Sequence, residues 1–247
     1  MKPKKSLGQH FLHEKSYLER IVRECPLEGK PVLEIGAGPG NLTRYLVKKA
    51  SEVFAVEKDP EAVSLLKKAG LERVRVVEGD ALEIPWDFFQ EGVCAGNLPY
   101  YISSPLVRKF LQNWRRFSAG CFLLQWELAE KFTSPRGRKA SPLSLLLYNF
   151  YEPSLKFSVP PGAFAPPPRV RSGFVVFQRR PSPLFDFPLE EMEEFLRRVF
   201  SQRRKTIYNN LKAFYPPDKL KGLDRRLRPE EVGLEELFRL FQMFRRD

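Results

Sequence analysis

The most constraining feature of this sequence is an alternation of short, valine-rich apolar runs with longer amphipathic stretches, which continues to about residue 150. The strand candidates are residues 32–35, 53–56, 74–77, 93–95 and 121–125. Strands that alternate with helices form a mainly parallel sheet with helices packed on its faces. The sequence therefore predicts an α/β domain.

The pattern changes after residue 150. The runs PSLKFSV and SGFVVFQ have no helix between them, only the proline-rich segment PPGAFAPPPRVR, and this predicts an antiparallel pair at one sheet edge. From Pro181 the apolar residues follow a helical period, with Met192, Phe195, Leu196 and Val199 on one face. We expect a larger domain over residues 1–182 and a small all-helical domain over residues 183–247.

The segment VLEIGAGPGNLT places Gly36, Gly38 and Gly40 between the first strand and a helix. Glycines at this position let the backbone approach a nucleotide beside the helix N-terminus. A dinucleotide-binding fingerprint has its third glycine at position 41, where this chain has Asn41. This difference disfavours a nicotinamide cofactor, and a tight turn without a ligand remains the structural alternative.

Two carboxylates follow the next two strands. Glu57 comes 21 positions after Gly36, where a carboxylate can bind ribose hydroxyls, and Asp80 is placed to accept a hydrogen bond from an adenine amine. An acid after a strand is often only a helix cap, and Asp80 is open to that interpretation. Three such features at the carboxyl edge of one sheet nevertheless predict a nucleoside pocket.

The fourth strand ends in Asn97-Leu98-Pro99-Tyr100. Following such a pocket, this motif resembles the methyltransferases that use S-adenosylmethionine, in which it holds an exocyclic amine. The resemblance implies that the Asn97 side-chain oxygen and the Leu98 carbonyl accept the amine hydrogens, that Pro99 holds the turn, and that Tyr100 stacks on the base. The alternative is a structural turn with a core tyrosine.

A target adenine must leave its stack to enter such a pocket, and a second aromatic side chain is then expected to clamp it. The segment FAPPPRVRS offers Phe164 in a proline-stiffened loop. We predict that Phe164 is this clamp. A buried loop phenylalanine is the structural alternative.

The formal net charge of +12 predicts a polyanionic partner, with a merely basic surface as the alternative. The candidate phosphate contacts are Arg115, Arg116, Arg136, Arg138, Lys139 and the run Arg203-Arg204-Lys205.

The three widely spaced cysteines predict reduced thiols, and with no apolar leader or membrane span we expect a cytoplasmic protein. Only two histidines are present, so no metal site is expected.

The motifs SLGQHFL, EIGAGPGNLT, VEKD, GDAL, NLPYYISSP, FAPPPRVRS and FSQRRKTIYNNL occur in this order over nearly the whole chain. Together they resemble the ribosomal RNA adenine dimethyltransferases, most closely the KsgA-type enzymes of the small subunit. The resemblance implies a seven-stranded Rossmann-like methyltransferase fold, S-adenosylmethionine as cofactor, and dimethylation of N6 of two adenines in a hairpin loop near the 3′ end of small-subunit RNA.

By the same resemblance, His10 and Leu12 join the cofactor site with Gly36, Glu57, Asp80 and Asn97. Many relatives carry asparagine at the position of His10, and a backbone contact would tolerate either residue. A surface or capping role is the alternative for His10.

Three other functions stay open at this stage. Antibiotic-resistance relatives that methylate large-subunit RNA share the pocket, but we do not expect them to carry the Arg-Arg-Lys-Thr helix of SQRRKTIYNNL. A basic run is also often only a solvated helix face. A non-catalytic RNA-binding assembly factor is disfavoured by the intact motif from Asn97 to Tyr100, and a nicotinamide reductase by Asn41. We expect a monomer that binds ribosomal RNA or an immature small subunit.

Overall fold

The computed structural model describes Lys4 and residues 8–245, and the chain divides into two compact units. The first is formed by Met1–Ala129 with Pro153–Arg179, and the second by Glu130–Glu152 with Arg180–Asp247. The later boundary falls near the expected residue 182, but residues 130–152 belong to the second unit. Among the described residues, no helix combines the length and apolar character that crossing a bilayer requires.

In the part of the chain that the structure describes, nine strands form two sheets. They are β1 (Phe11–Leu12), β2 (Pro31–Ile35), β3 (Glu52–Glu57), β4 (Val74–Glu78), β5 (Gly92–Asn97), β6 (Phe117–Gln125), β7 (Tyr151–Val159), β8 (Phe164–Ala165) and β9 (Ser172–Arg179). The large sheet has seven strands in the order β4-β3-β2-β5-β6-β9-β7. It is parallel from β4 to β6, and β9 runs antiparallel to β6.

This architecture confirms the predicted seven-stranded α/β fold and its five sequence-predicted strands. The two late runs are neighbours at one edge, as expected. Strands β2 and β5 are central and are covered on both faces, which explains their nearly continuous apolar sequences. Because β2 to β5 are parallel, their carboxyl ends meet at one edge of the sheet, and this edge carries the predicted pocket residues.

Helices of the first unit connect these strands. They are α1 (Lys15–Glu24), α2 (Thr43–Leu46), α3 (Pro60–Lys68) and α4 (Ser103–Gln112). Helix α5 (Trp126–Phe132) follows β6 and contains the boundary between Ala129 and Glu130. The start of α3 is set locally, because the Asp59 carboxylate accepts a hydrogen bond from the Glu61 N–H and Pro60 occupies the first turn. This cap holds the loop after Glu57 in place.

The two-stranded sheet joins the N-terminal motif to the proline-rich segment. Strand β1 pairs antiparallel with β8, so that Leu12 lies opposite Phe164. Both side chains are 2% exposed and belong to the hydrophobic core. This pairing carries the chain at residues 8–12 across the carboxyl edge of the large sheet.

The second unit is helical. It contains α6 (Pro142–Phe150), α7 (Leu189–Val199), α8 (Ile207–Leu211) and α9 (Leu234–Arg245). The predicted apolar face of α7 is confirmed, since Met192, Phe195, Leu196 and Val199 are all buried. Helix α6 is apolar on most of its surface and packs against α7, which explains why residues 130–152 join this unit.

The basic run Arg203-Arg204-Lys205 is not helical, so the prediction of a helix over the Arg-Arg-Lys-Thr segment is wrong. Helix α8 begins only at Ile207, because the Thr206 side chain caps it by accepting a hydrogen bond from the Asn209 N–H. Arg203 instead donates to the backbone carbonyls of Arg138 and Ala140 within the same unit.

Candidate active site

A pocket of the first unit lies at the carboxyl edge of β2 to β5. Among its lining residues are five of the six predicted cofactor-site residues: His10, Gly36, Glu57, Asp80 and Asn97. Leu98, Pro99 and Tyr100 of the predicted target-binding motif line the same pocket. The parallel sheet therefore brings together residues that are separated by up to 90 positions in the sequence.

Gly36 and Glu57 both line the pocket. Gly36 has a φ of +70°, and a Cβ there would lie 3.7 Å from Pro99 Cδ and would reduce the space for a ligand. Glu57 accepts hydrogen bonds from the Gly38, Lys58 and Asp59 N–H groups at 2.8–2.9 Å. A carboxylate has about four acceptor positions, so Glu57 keeps about one for a ligand hydroxyl.

Asp80 makes structural hydrogen bonds and remains accessible as an acceptor for a ligand. One oxygen accepts from the Leu82 N–H at 2.9 Å, and the other lies 3.2 Å from Lys58 Nζ. Burial opposes ionisation of Asp80, but these hydrogen bonds outweigh it and lower the carboxyl pKa. Asp80 is therefore an ionised acceptor beside the pocket, and its side chain is still 31% exposed. Lys58 was not singled out from the sequence, because an exposed lysine after a strand carries no distinctive signal.

The amide of Asn97 is oriented by the N-terminal segment. Its Nδ2 donates to the His10 carbonyl at 2.7 Å, which leaves Oδ1 as the group with no partner among the described residues. The His10 ring donates through Nδ1 to the Pro166 carbonyl at 2.8 Å and stacks on Tyr100 at 5.7 Å between ring centroids. His10 thus positions two motif residues through its backbone and its ring.

Tyr100 is held from the opposite side by Ser172, the last residue of the motif FAPPPRVRS. The two hydroxyls are 2.6 Å apart, and Ser172 is fully buried. Burial raises the pKa of the Tyr100 hydroxyl, against the effect of the Ser172 hydrogen bond. The phenol is therefore neutral near pH 7, and its contribution to the pocket is a fixed aromatic ring and not a base.

Leu12 and Phe164 do not line the pocket. The Leu12 carbonyl accepts a hydrogen bond from Asn41 Nδ2 at 2.9 Å, and its side chain is in the core. Phe164 is buried opposite Leu12 because β8 pairs with β1. The structure therefore does not place the Phe164 ring where it can clamp a base, and the aromatic residues Phe11 and Tyr100 line the pocket instead.

The pocket fits S-adenosylmethionine. Gly36 leaves room for close approach of the backbone, and the Glu57 and Asp80 carboxylates offer unused acceptor positions for ribose and adenine. Val56, Ile102 and Leu106 supply apolar walls for a flat base.

Glu34 precedes the pocket-lining Ile35 on β2 and is 1% exposed, with no hydrogen-bond partner for its Oε2 among the described residues. Burial, reinforced by the nearby Glu57 carboxylate, raises its pKa from 4.5 to about 8. The folded protein thus keeps a proton that the unfolded chain loses above pH 4.5, so Glu34 lowers the free energy of unfolding progressively from about pH 4.5 to about pH 8.

Glu34→Gln is expected to remove this pH dependence, because glutamine does not ionise. Denaturant unfolding at pH 5 and pH 8 should show a stability advantage of the variant that grows by about 1.4 kcal/mol per pH unit within the window. The exposed Glu72→Gln serves as control and should show no such growth. An equal difference between Glu34→Gln and the parent at both pH values would contradict a protonated Glu34.

The family model for ribosomal RNA adenine dimethylase matches residues 1–245. The chain is 42% identical over 210 residues to the probable ribosomal RNA small subunit methyltransferase A of Methanosarcina acetivorans, covering 83% of this chain and 77% of the relative. It is 34% identical over 239 residues to ribosomal RNA small subunit methyltransferase A of Mycoplasma mobile, covering 94% of each.

Solved structures agree with these sequence matches. A dimethyladenosine transferase from Plasmodium falciparum superposes with a TM-score of 0.83 at 28% identity, covering 95% of this chain and 97% of that one. The 23S rRNA methyltransferase ErmE superposes with a TM-score of 0.75 at 28% identity, covering 96% and 100%. The chain therefore belongs to the ribosomal RNA adenine dimethylase family and is an S-adenosylmethionine-dependent enzyme that dimethylates adenines of ribosomal RNA.

Proposed function

We propose that this enzyme dimethylates N6 of two adjacent adenines in a hairpin loop near the 3′ end of small-subunit ribosomal RNA. The names of its relatives from Methanosarcina acetivorans and Mycoplasma mobile support the choice of subunit. We further propose that it acts as a monomer in the cytoplasm on the immature small subunit. The observation that carries the chemistry is the oriented Asn97 amide, which has a free oxygen and lines the same pocket as two strand-end carboxylates.

In this proposal the cofactor lies along the edge formed by Gly36, Glu57 and Asp80. Glu57 accepts from a ribose hydroxyl through its remaining acceptor position, and Asp80 accepts from the adenine amine of the cofactor. His10 contributes its backbone, which also holds Asn97. Leu12 contributes indirectly, because its backbone carbonyl accepts a hydrogen bond from the Asn41 side chain.

An exocyclic adenine nitrogen is a poor nucleophile because its lone pair is delocalised into the ring. Asn97 Oδ1 and the Leu98 carbonyl each accept one of its N–H groups and so draw the nitrogen toward pyramidal geometry. Pro99 fixes the direction of the turn, and Tyr100 stacks on the base. When bound, S-adenosylmethionine supplies an electrophilic methyl group. Fixed positioning of the amine supplies most of the rate enhancement, and no strong base is required.

Labelled methyl transfer to unmethylated small subunits, large subunits and free RNA in parallel tests the choice of substrate. We expect incorporation of four methyl groups per small subunit, since two adenines each receive two. Preferred labelling of large subunits would instead assign the ErmE-like activity to this chain. Absence of labelling in all three substrates, despite RNA binding, would indicate a non-catalytic assembly factor.

RNA binding is expected to weaken steeply with salt, because lysine and arginine contacts to phosphates release counterions. Arg204 and Lys205 are exposed, and their side chains have no hydrogen bond or ion pair with another described residue, so we propose them as phosphate contacts. The double variant Arg204→Ala/Lys205→Ala should lower the slope of log affinity against log salt by about 1–2.

The matched control for this measurement is Lys221→Ala, which removes an exposed lysine that is already paired with Asp218 at 2.8 Å. Its salt slope should equal that of the parent. A double variant with an unchanged slope would remove the run from the RNA-binding surface.

A further inference from the structure

Tyr101 lies next to the pocket without lining it. Its side chain is 54% exposed, an unusual position for a large aromatic residue. The ring lies against Gly8, because a Cβ at residue 8 would be only 3.0 Å from Tyr101 Cδ1. The hydroxyl accepts a hydrogen bond from Lys58 Nζ at 3.3 Å. Tyr101 therefore connects the N-terminal segment to the loop that follows β3.

The same lysine continues the connection to the next strand end. Lys58 Nζ lies 3.2 Å from Asp80 Oδ2, and Gly8, Lys58 and Asp80 all line the pocket. Tyr101 itself follows β5, on the other side of β2 from β3 and β4. The chain of contacts Gly8–Tyr101–Lys58–Asp80 thus spans the end of the pocket that carries the strand-end carboxylates.

We propose that Tyr101 and Lys58 form a bridge across the mouth of the pocket that slows the exchange of S-adenosylmethionine and of its product S-adenosylhomocysteine. This inference rests on the proposed function. Each adenine receives two methyl groups, so one product molecule must leave and a second donor must enter before the modification is complete. The rate of exchange then determines how often the enzyme stops after one methyl group.

A bridge and a direct ligand contact have different kinetic signatures. Removing a bridge speeds both entry and exit, so the association and dissociation rate constants rise together and the dissociation constant changes less than either. Removing a direct contact raises mainly the dissociation rate constant. Stopped-flow binding of S-adenosylhomocysteine to the isolated protein measures both constants without any methyl transfer.

Tyr101→Phe keeps the ring against Gly8 but loses the bond from Lys58, and we expect both rate constants to rise by about 2–10-fold, as for loss of one hydrogen bond. Tyr101→Ala should raise both constants further. Tyr45→Phe is the matched control, since Tyr45 has a lysine 4.7 Å from its ring centre but does not line or border the pocket. Its exchange rates should equal those of the parent.

A double-mutant cycle with Lys58→Met tests whether the two residues act together. If they form one bridge, Tyr101→Phe should change the exchange rates little in the Lys58→Met background. Parental exchange rates in both Tyr101 variants, or a rise in the dissociation rate constant alone, would overturn the bridge while leaving the proposed function intact. A parent protein that binds no S-adenosylhomocysteine would overturn both.

Discussion

Asn97→Ala is expected to lower the single-turnover rate of methyl transfer by about 10²–10³-fold while RNA affinity stays close to that of the parent. The variant loses an acceptor that strengthens as the target nitrogen becomes pyramidal, which corresponds to about 3–4 kcal/mol of transition-state stabilisation. It also loses the bond from Nδ2 to the His10 carbonyl, so a modest fall in melting temperature is expected. Rapid-quench methylation, thermal melting and RNA binding measure the three quantities.

The structure supplies a control for the expected fall in melting temperature. Asn41 Nδ2 donates to the Leu12 carbonyl at 2.9 Å, so Asn41→Ala removes a comparable tie to the same N-terminal segment without removing a pocket acceptor. We expect a similar fall in melting temperature with a much smaller loss of rate. Asn97→Asp retains an acceptor but, when ionised, cannot donate to His10, and intermediate activity is expected. Parental turnover in Asn97→Ala would refute the proposed mechanism and leave the motif as a structural turn.

Glu57→Ala is expected to weaken binding of S-adenosylhomocysteine by roughly 5–150-fold, the equivalent of about 1–3 kcal/mol. The structure adds an effect on stability, because the Gly38, Lys58 and Asp59 N–H groups all lose their acceptor. We expect the free energy of unfolding to fall by about 3 kcal/mol. Calorimetric titration and denaturant unfolding separate the two consequences.

Glu78→Ala is the matched control for Glu57→Ala. Glu78 lies directly opposite Glu57 on the neighbouring strand β4, but its side chain is 52% exposed and does not line the pocket. Both the affinity and the stability should remain near the parental values. Unchanged affinity in a folded Glu57→Ala protein would remove Glu57 from the cofactor site.

Much of the site could be predicted because its information is local in the sequence. Gly36, Glu57, Asp80 and Asn97 each lie at or just after the end of a strand, and parallel strands bring such ends to one edge. The glycine-rich turn is equally local, since the positive φ of Gly36 is a property of that residue type.

The role of Phe164 could not be predicted in the same way. Its motif predicted that Phe164 lies in a loop beside the target base. In the structure, a two-residue pairing with β1 buries the Phe164 ring in the core. The register of a short strand pair between residues more than 150 positions apart leaves no periodic signal in either segment. The assignment of residues 130–152 to the second unit depends on helix packing in the same way.

By itself, the sequence determined the α/β class, the strand ends and the residue types at the carboxyl edge, because strand propensity, turn chemistry and apolar period act over a few neighbouring residues. Only the tertiary structure decided how those residues are oriented. The bond from Asn97 to His10 and the contact of Tyr101 with Gly8 and Lys58 join segments 43–93 positions apart. Such contacts depend on the path of the whole chain, since each forms only after the sheet has brought its strand ends together.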